Sequence, residues 1–100
     1  MIDAIQAHQG QVNVVLSGSL TINDAGDLRE KLLAQIEKGN ARFVIDVSLL
    51  NFIDSAGLGV LVTIHKRARQ MQGGVTMKGL QGVPKEVMEL TRLIKVFDMA

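Results

Sequence analysis

The sequence contains no cysteine, no tryptophan and no tyrosine, and phenylalanine is its only aromatic residue, with three copies. The lack of cysteine excludes disulfide bonds and thiolate chemistry. The lack of large aromatic residues leaves a core of aliphatic side chains. Since 47% of the 100 residues are hydrophobic, they suffice for one folded domain. We therefore expect a single domain over residues 1–100 that tolerates a reducing compartment.

An excess of charge of one sign is also absent, because 11 basic and 10 acidic residues leave a net charge of +1. Such a balance produces no long-range field that would recruit nucleic acid or an anionic membrane. The basic run at residues 66–69 falls within a predicted helix, where it forms a solvated face without an aromatic platform for bases. We expect no nucleic-acid partner and no membrane partner.

Long hydrophobic runs are missing as well. The longest, Gly57 to Ile64, is far shorter than the ~18 apolar residues of a membrane-spanning helix. Residues 1–11 are interrupted by acidic and polar side chains and lack the apolar segment of a signal peptide. These features predict a cytoplasmic protein.

The hydrophobic spacing predicts the element order β-β-α-β-α-β-α-β. Alternation over residues 12–16, preceded by a weaker run over residues 2–8 and the turn residues Gln9-Gly10, is typical of a hairpin. Later strands are expected at Phe43–Val47, Val75–Lys78 and Lys95–Phe97, and a loop at Ser48–Ile53. Helical periodicity predicts Ile22–Lys38, a second helix from Ser55 to about Met71, and Pro84–Leu90. Strand–helix–strand units pair in parallel, so the fold class is α/β with a mixed sheet.

Each of the first two predicted helices has one apolar stripe. The first stripe is Ile22, Ala25, Leu28, Leu32 and Ile36, and the second is Gly57, Val60, Leu61, Ile64, Ala68 and Met71. Met71, Met77 and Met88 are expected on buried faces, where methionine fills gaps. Thr21, three residues before Asp24, is expected to cap the first helix.

The sequence lacks the common catalytic and cofactor motifs. No glycine-rich phosphate loop, dinucleotide fingerprint or G-x-S-x-G nucleophile motif is present. The only imidazoles, His8 and His65, stand outside any metal or base motif and are interpreted as ordinary surface or boundary residues. We therefore expect no enzymatic activity, no metal and no cofactor.

The segment from Asn51 to Leu61 has an unusual composition. Gly57 and Gly59 fall in the first turns of a helix, where each costs about 1 kcal/mol relative to alanine. Leu58 and Val62 lie off the predicted stripe. They form a small apolar patch beside the helix start unless the edge of the sheet or the third helix covers them. Because a helix N-terminus favours an anion, a phosphate on Ser55 would be tolerated by the fold. It would also add about −1.5 to −2 charges to that patch.

This segment resembles the signature of the STAS family, which comprises bacterial anti-sigma factor antagonists and cytoplasmic domains of sulfate transporters. The resemblance rests on Asp46-Val47-Ser48 and on the run D-S-A-G-L-G at residues 54–59. It extends in order and spacing from Val12 to Phe97. The likeness implies a mixed sheet with the helices packed mainly on one face.

The resemblance also implies a function. The serine that matches Ser55 is phosphorylated in this family by a GHKL-type serine kinase that doubles as an anti-sigma factor, and a metal-dependent serine phosphatase removes the phosphate. The unphosphorylated antagonist binds the kinase and releases its target. The implied partner-binding residues are Ser19, Thr21, Asp54, Ser55, Ala56, Gly57, Leu58, Gly59 and Val62.

One position departs from the family pattern, and one alternative function stays open. Thr21 stands where the family often has an acidic residue. The alternative is a STAS subunit that is not phosphorylated and belongs to another signalling or lipid-transport complex. A phospho-accepting receiver domain is disfavoured because residues 12–19 lack the acidic cluster that holds its metal. Asp46 is instead expected to bond the backbone near Ser48.

Overall fold

The chain begins with the hairpin that the alternating residues predict. In the computed structural model, which describes residues 1–100, β1 (Ile2–His8) pairs antiparallel with β2 (Gln11–Leu20). Gln9 and Gly10 both have positive φ, 51° and 83°, as the tight turns of hairpins require.

The remaining elements follow the predicted order and form one five-stranded sheet. They are α1 (Ile22–Glu37), β3 (Arg42–Ile53), α2 (Ser55–Arg69), β4 (Gly74–Lys78), α3 (Gly82–Leu90), a short 3-10 turn (Leu93–Lys95) and β5 (Asp98–Met99). The strands lie in the order β1-β2-β3-β4-β5, and every pair after the first is parallel. The prediction of an α/β domain with a mixed sheet is confirmed.

Two boundaries were wrong. The residues expected to form a loop at Ser48–Ile53 continue β3, since this stretch stays paired to β2 through two register shifts. Polar residues at the irregular positions interrupt the hydrophobic alternation, so the spacing of apolar residues did not indicate a strand there. The extended piece expected at Lys95–Phe97 lies instead at Asp98–Met99, because residues 93–95 form the 3-10 turn.

One face of the sheet carries the core. Val12 and Val14 of β2 lie opposite Phe43 and Ile45 of β3, and all four side chains are buried. On β4, Val75 and Met77 continue this buried row. The alternate residues are exposed or half-buried, among them Asn13, Val44 and Thr76. This asymmetry agrees with helices packed mainly on one face.

Helices α1 and α2 pack against each other as well as against the sheet. Because α2 contacts both α1 and the sheet, more of its surface is buried than the predicted stripe. Leu58, which lies off that stripe, is only 4% exposed. Two stripe residues behave in the opposite way: Ile22 at the start of α1 is 72% exposed, and Met71 lies beyond the end of α2 and is 43% exposed. Met77 and Met88 are buried as expected.

His65 is buried, contrary to the expectation of a surface or boundary residue. Its Nδ1 accepts a hydrogen bond of 3.0 Å from the backbone N–H of Val75, and its ring stacks edge-on against Phe97. Burial, with Arg69 nearby, lowers the pKa of His65. The side chain therefore joins α2 to the beginning of β4 in its neutral form. His8 is exposed.

None of the helices has the length and hydropathy of a membrane-crossing segment.

Candidate functional site

Ser55 is the first residue of α2, and its side chain is exposed. The preceding residue, Asp54, has extended backbone and caps the helix through its carboxylate, which accepts a 2.9 Å hydrogen bond from the N–H of Gly57. Aspartate is among the preferred capping residues because it satisfies an otherwise free amide. The predicted start of the second helix at Ser55 is confirmed.

Asp54 also contacts a distant part of the chain. Its Oδ2 accepts a 3.0 Å hydrogen bond from the N–H of Ile22, the first residue of α1, and its own N–H donates to the Leu20 carbonyl at 3.1 Å. The N-termini of α1 and α2 are therefore linked by one side chain. No local sequence signal indicates a contact between residues 32 positions apart.

The two glycines of the segment have different reasons to be glycine. A Cβ on Gly57 would lie 2.8 Å from the carbonyl oxygen of Leu20, so the packing of α2 on β2 requires a glycine there. A Cβ on Gly59 would meet no atom within 4 Å, and Gly59 is exposed. Nothing inside the molecule explains Gly59, which lies one turn after Ser55 on the same side of the helix.

The apolar patch expected beside Ser55 is smaller than predicted. Leu58 belongs to the hydrophobic core, so its side chain is not available to a partner. Val62 and Ala56 are half-buried and pack against that core. Ile22, which was expected in the core, is an exposed apolar residue next to the site. Its position beside Asp54 comes from the tertiary contact alone.

Ser19 and Thr21 lie on the segment that leads from β2 into α1. Ser19 is exposed, and Thr21 caps α1 by accepting a 3.3 Å hydrogen bond from the N–H of Asn23. The cap expected for Thr21 is confirmed. Since Leu20 and Ile22 both bond Asp54, this segment is held beside the start of α2.

The site is an open surface. The three surface clefts of the molecule are lined by other residues, including one of about 370 Å³ between β3 and α3 whose wall contains Ser48, Gln81 and Val83. Small-molecule sites are typically concave, whereas an exposed serine at a helix end beside an apolar side chain is suited to contact with another macromolecule.

Asp46 accepts hydrogen bonds from both the N–H and the hydroxyl of Ser48, at 3.0 and 2.7 Å. These bonds lower the pKa of Asp46. The expected interaction with the backbone near Ser48 is confirmed, and it stabilises the chain where β3 becomes irregular. Asp46 is thus committed to a structural contact.

A family model described as "Mlab, STAS domain" matches residues 4–98. Among curated proteins, BtrV of Bordetella bronchiseptica, which carries the name of an anti-sigma factor antagonist, is 34% identical over 91% of this chain and 78% of its own length.

Solved structures share the fold. An anti-sigma factor antagonist from Mycobacterium paratuberculosis superimposes with a TM-score of 0.84 at 24% identity, covering 99% of this chain and 85% of the other. The anti-sigma factor antagonist SpoIIAA of Bacillus, at 18% identity, gives TM-scores of 0.78 in its unphosphorylated form and 0.80 in its phosphorylated form. These two comparisons cover 97% and 100% of this chain and 87% and 91% of SpoIIAA.

Proposed function

Because this chain belongs to the STAS domain family, as the D-S-A-G-L-G motif led us to expect, we propose that it is a cytoplasmic anti-sigma factor antagonist controlled by phosphorylation of Ser55. In its unphosphorylated form it binds an anti-sigma factor and releases that protein's target. The anti-sigma factor is a GHKL-type serine kinase that phosphorylates Ser55, and a metal-dependent serine phosphatase restores the active form. The antagonist itself catalyses no reaction.

One observation carries the proposal: an exposed serine begins α2 on the same side as an exposed glycine that the fold does not require. A glycine in a helix costs about 1 kcal/mol relative to alanine. A partner whose backbone or side chain approaches Gly59 closely would explain why a glycine is kept at this helix position despite its cost in stability. Ser55 would then lie within the same interface.

The chemistry of phosphate at this position supports a switch without a change of fold. The positive end of the α2 dipole tolerates an anion on Ser55. A phosphate adds about −1.5 to −2 charges to a surface that includes the exposed Ile22 side chain. Burying that charge against a partner without a compensating cation is unfavourable, so the modified surface loses its partner.

The proposal predicts opposite behaviour of two substitutions at Ser55. Ser55→Ala removes the acceptor hydroxyl and leaves the surface uncharged, so the variant binds the kinase constitutively. Ser55→Asp introduces one carboxylate, which weakens binding by roughly a hundredfold, since an unpaired interfacial charge costs several kcal/mol. Purified GHKL-type serine kinases of the same bacterium are titrated with wild type and both variants by calorimetry.

Melting temperatures control for folding, and both variants are expected to melt near wild type because the first helical position accepts either residue. Equal affinities of the two folded variants for a kinase that binds wild type would refute a switch at Ser55. Binding to a different complex, with Ser55 unmodified by every kinase, would favour the unphosphorylated-subunit alternative.

A further inference from the structure

The carboxylate of Asp54 does more than cap its own helix. One oxygen accepts from Gly57, three residues later, and the other accepts from Ile22, the first residue of α1. The cap of α1, Thr21, bonds the next amide, that of Asn23. The Ile22 amide, which no residue of α1 can satisfy, therefore depends on Asp54.

The backbone of Asp54 adds a third link, because its N–H donates to the Leu20 carbonyl. Residues on either side of Thr21 are thus bonded to the residue that precedes Ser55. This arrangement determines where the exposed side chains of Ser19 and Ile22 stand relative to Ser55. A carboxylate is the smallest side chain with two acceptors that face two separate donors in this way.

We propose that Asp54 is a positioning residue that links the N-termini of α1 and α2, so that the residue 19–22 segment and Ser55 contact the anti-sigma factor as one rigid surface. This inference rests on the proposed function and adds a role to it. Asp54 does not touch the reacting hydroxyl and acts through the placement of Ile22. Its two oxygens are already engaged, and its charge is offset by the two helix ends.

The substitution Asp54→Ser distinguishes the contact with Gly57 from the contact with Ile22. A serine side chain is a good helix cap with one short acceptor, so Asp54→Ser keeps the bond to Gly57 and loses the bond to Ile22. Asp54→Asn keeps one acceptor and turns an amide N–H₂ toward the Ile22 N–H, which also removes the link. Both variants retain the cap of α2 and are expected to fold.

The experiment measures amide hydrogen exchange by NMR in the free full-length chain, and then the dissociation constant for the kinase that binds wild type. In both variants the Ile22 amide should exchange at least tenfold faster than in wild type, while the Gly57 amide stays protected in Asp54→Ser. The dissociation constant should rise roughly tenfold. The control is Asp46→Asn, which removes a carboxylate charge elsewhere in the sheet and should leave Ile22 exchange and binding unchanged.

Unchanged Ile22 exchange in Asp54→Ser would overturn the link between the helices. Faster exchange with wild-type affinity would overturn the positioning role and leave Asp54 as a structural contact. Failure of every kinase to bind wild type is a different result: it refutes the proposed function, while the exchange data still decide whether the link exists.

Discussion

At the scale of single residues, the two glycines at the start of α2 differ in what surrounds them. Gly57 and Gly59 look equivalent in the sequence, yet only Gly57 is required by packing, against the carbonyl of Leu20. The sequence identifies both as unusual helix residues. It cannot assign a reason to either, because that reason depends on which side of α2 meets β2.

Gly59→Ala is therefore expected to stabilise the protein and to weaken its function. Alanine gains about 1 kcal/mol of helix propensity, equivalent to about 4–8 °C in a domain of this size. The added methyl group would occupy the space that the proposed partner approaches, so affinity for the anti-sigma factor should fall. Thermal unfolding and calorimetric titration of the same preparation test both effects.

Gly26→Ala is the matched control. Gly26 is also exposed within a helix, α1, and a Cβ there meets no atom within 4 Å. It should give the same stabilisation and so isolates the helix-propensity effect. Since Gly26 lies one turn after Ile22 on the same side of α1, it is a control for stability and not for affinity. Stabilisation by both substitutions without any loss of affinity in Gly59→Ala would remove the main support for a partner at α2.

Thr21 is the residue where this chain departs from the family pattern. Thr21→Asp preserves the cap of α1, since aspartate also accepts from the Asn23 amide. We expect the introduced carboxylate to raise the rate of Ser55 phosphorylation by the cognate kinase. Thr21→Asn, which caps without charge, should leave the rate near wild type. An unchanged rate in both variants would identify position 21 as a cap alone.

At the scale of elements, periodicity identified every helix and four of the five strands, because each presents an apolar face to the core. It failed where tertiary contacts override the local pattern. Leu58 is buried although it lies off the predicted α2 stripe, and Ile22 is exposed although its spacing fits the α1 stripe. The second half of β3 was missed because two register shifts interrupt its alternation.

The same limit applies to the candidate site. Helical periodicity predicted Ser55 at the start of a helix, and α2 begins there. The contact between Asp54 and Ile22 could not be predicted, because it joins two helix ends that are far apart in the chain.

The contact between α2 and β4 should make stability depend on pH. Burial lowers the pKa of His65, with Arg69 acting in the same direction and Asp98 in the opposite one. The folded state thus favours neutral His65, whose Nδ1 accepts from Val75. The contribution of His65 to the free energy of unfolding is fully present above its unfolded-state pKa of about 6.5. It decreases as the pH falls toward the lower pKa of the folded state.

Urea unfolding at pH 7.5 and pH 5.5 measures this effect. His65→Gln offers an acceptor that does not titrate near neutral pH, so its stability should fall less between the two pH values than that of wild type. The same pH dependence in both proteins would show that other groups determine it.

At the scale of the whole molecule, the core and the candidate site lie in different regions of the fold. The buried rows of β2, β3 and β4 lie on one face of the sheet, whereas Ser55 and Ile22 lie at the starts of the two helices. A charge added at a helix end therefore changes the surface while the core stays intact. The fold is similar to that of SpoIIAA, at TM-scores of 0.78 and 0.80 for its two forms.

The most direct test compares one protein in two states. The chain is prepared unphosphorylated and fully phosphorylated at Ser55, verified by mass spectrometry, and each form is titrated with the same anti-sigma factor by calorimetry. We predict superimposable far-UV circular dichroism spectra and a dissociation constant at least about a hundredfold higher for the phosphorylated form, a difference of about 2.7 kcal/mol. Equal dissociation constants for the two folded forms would contradict the account.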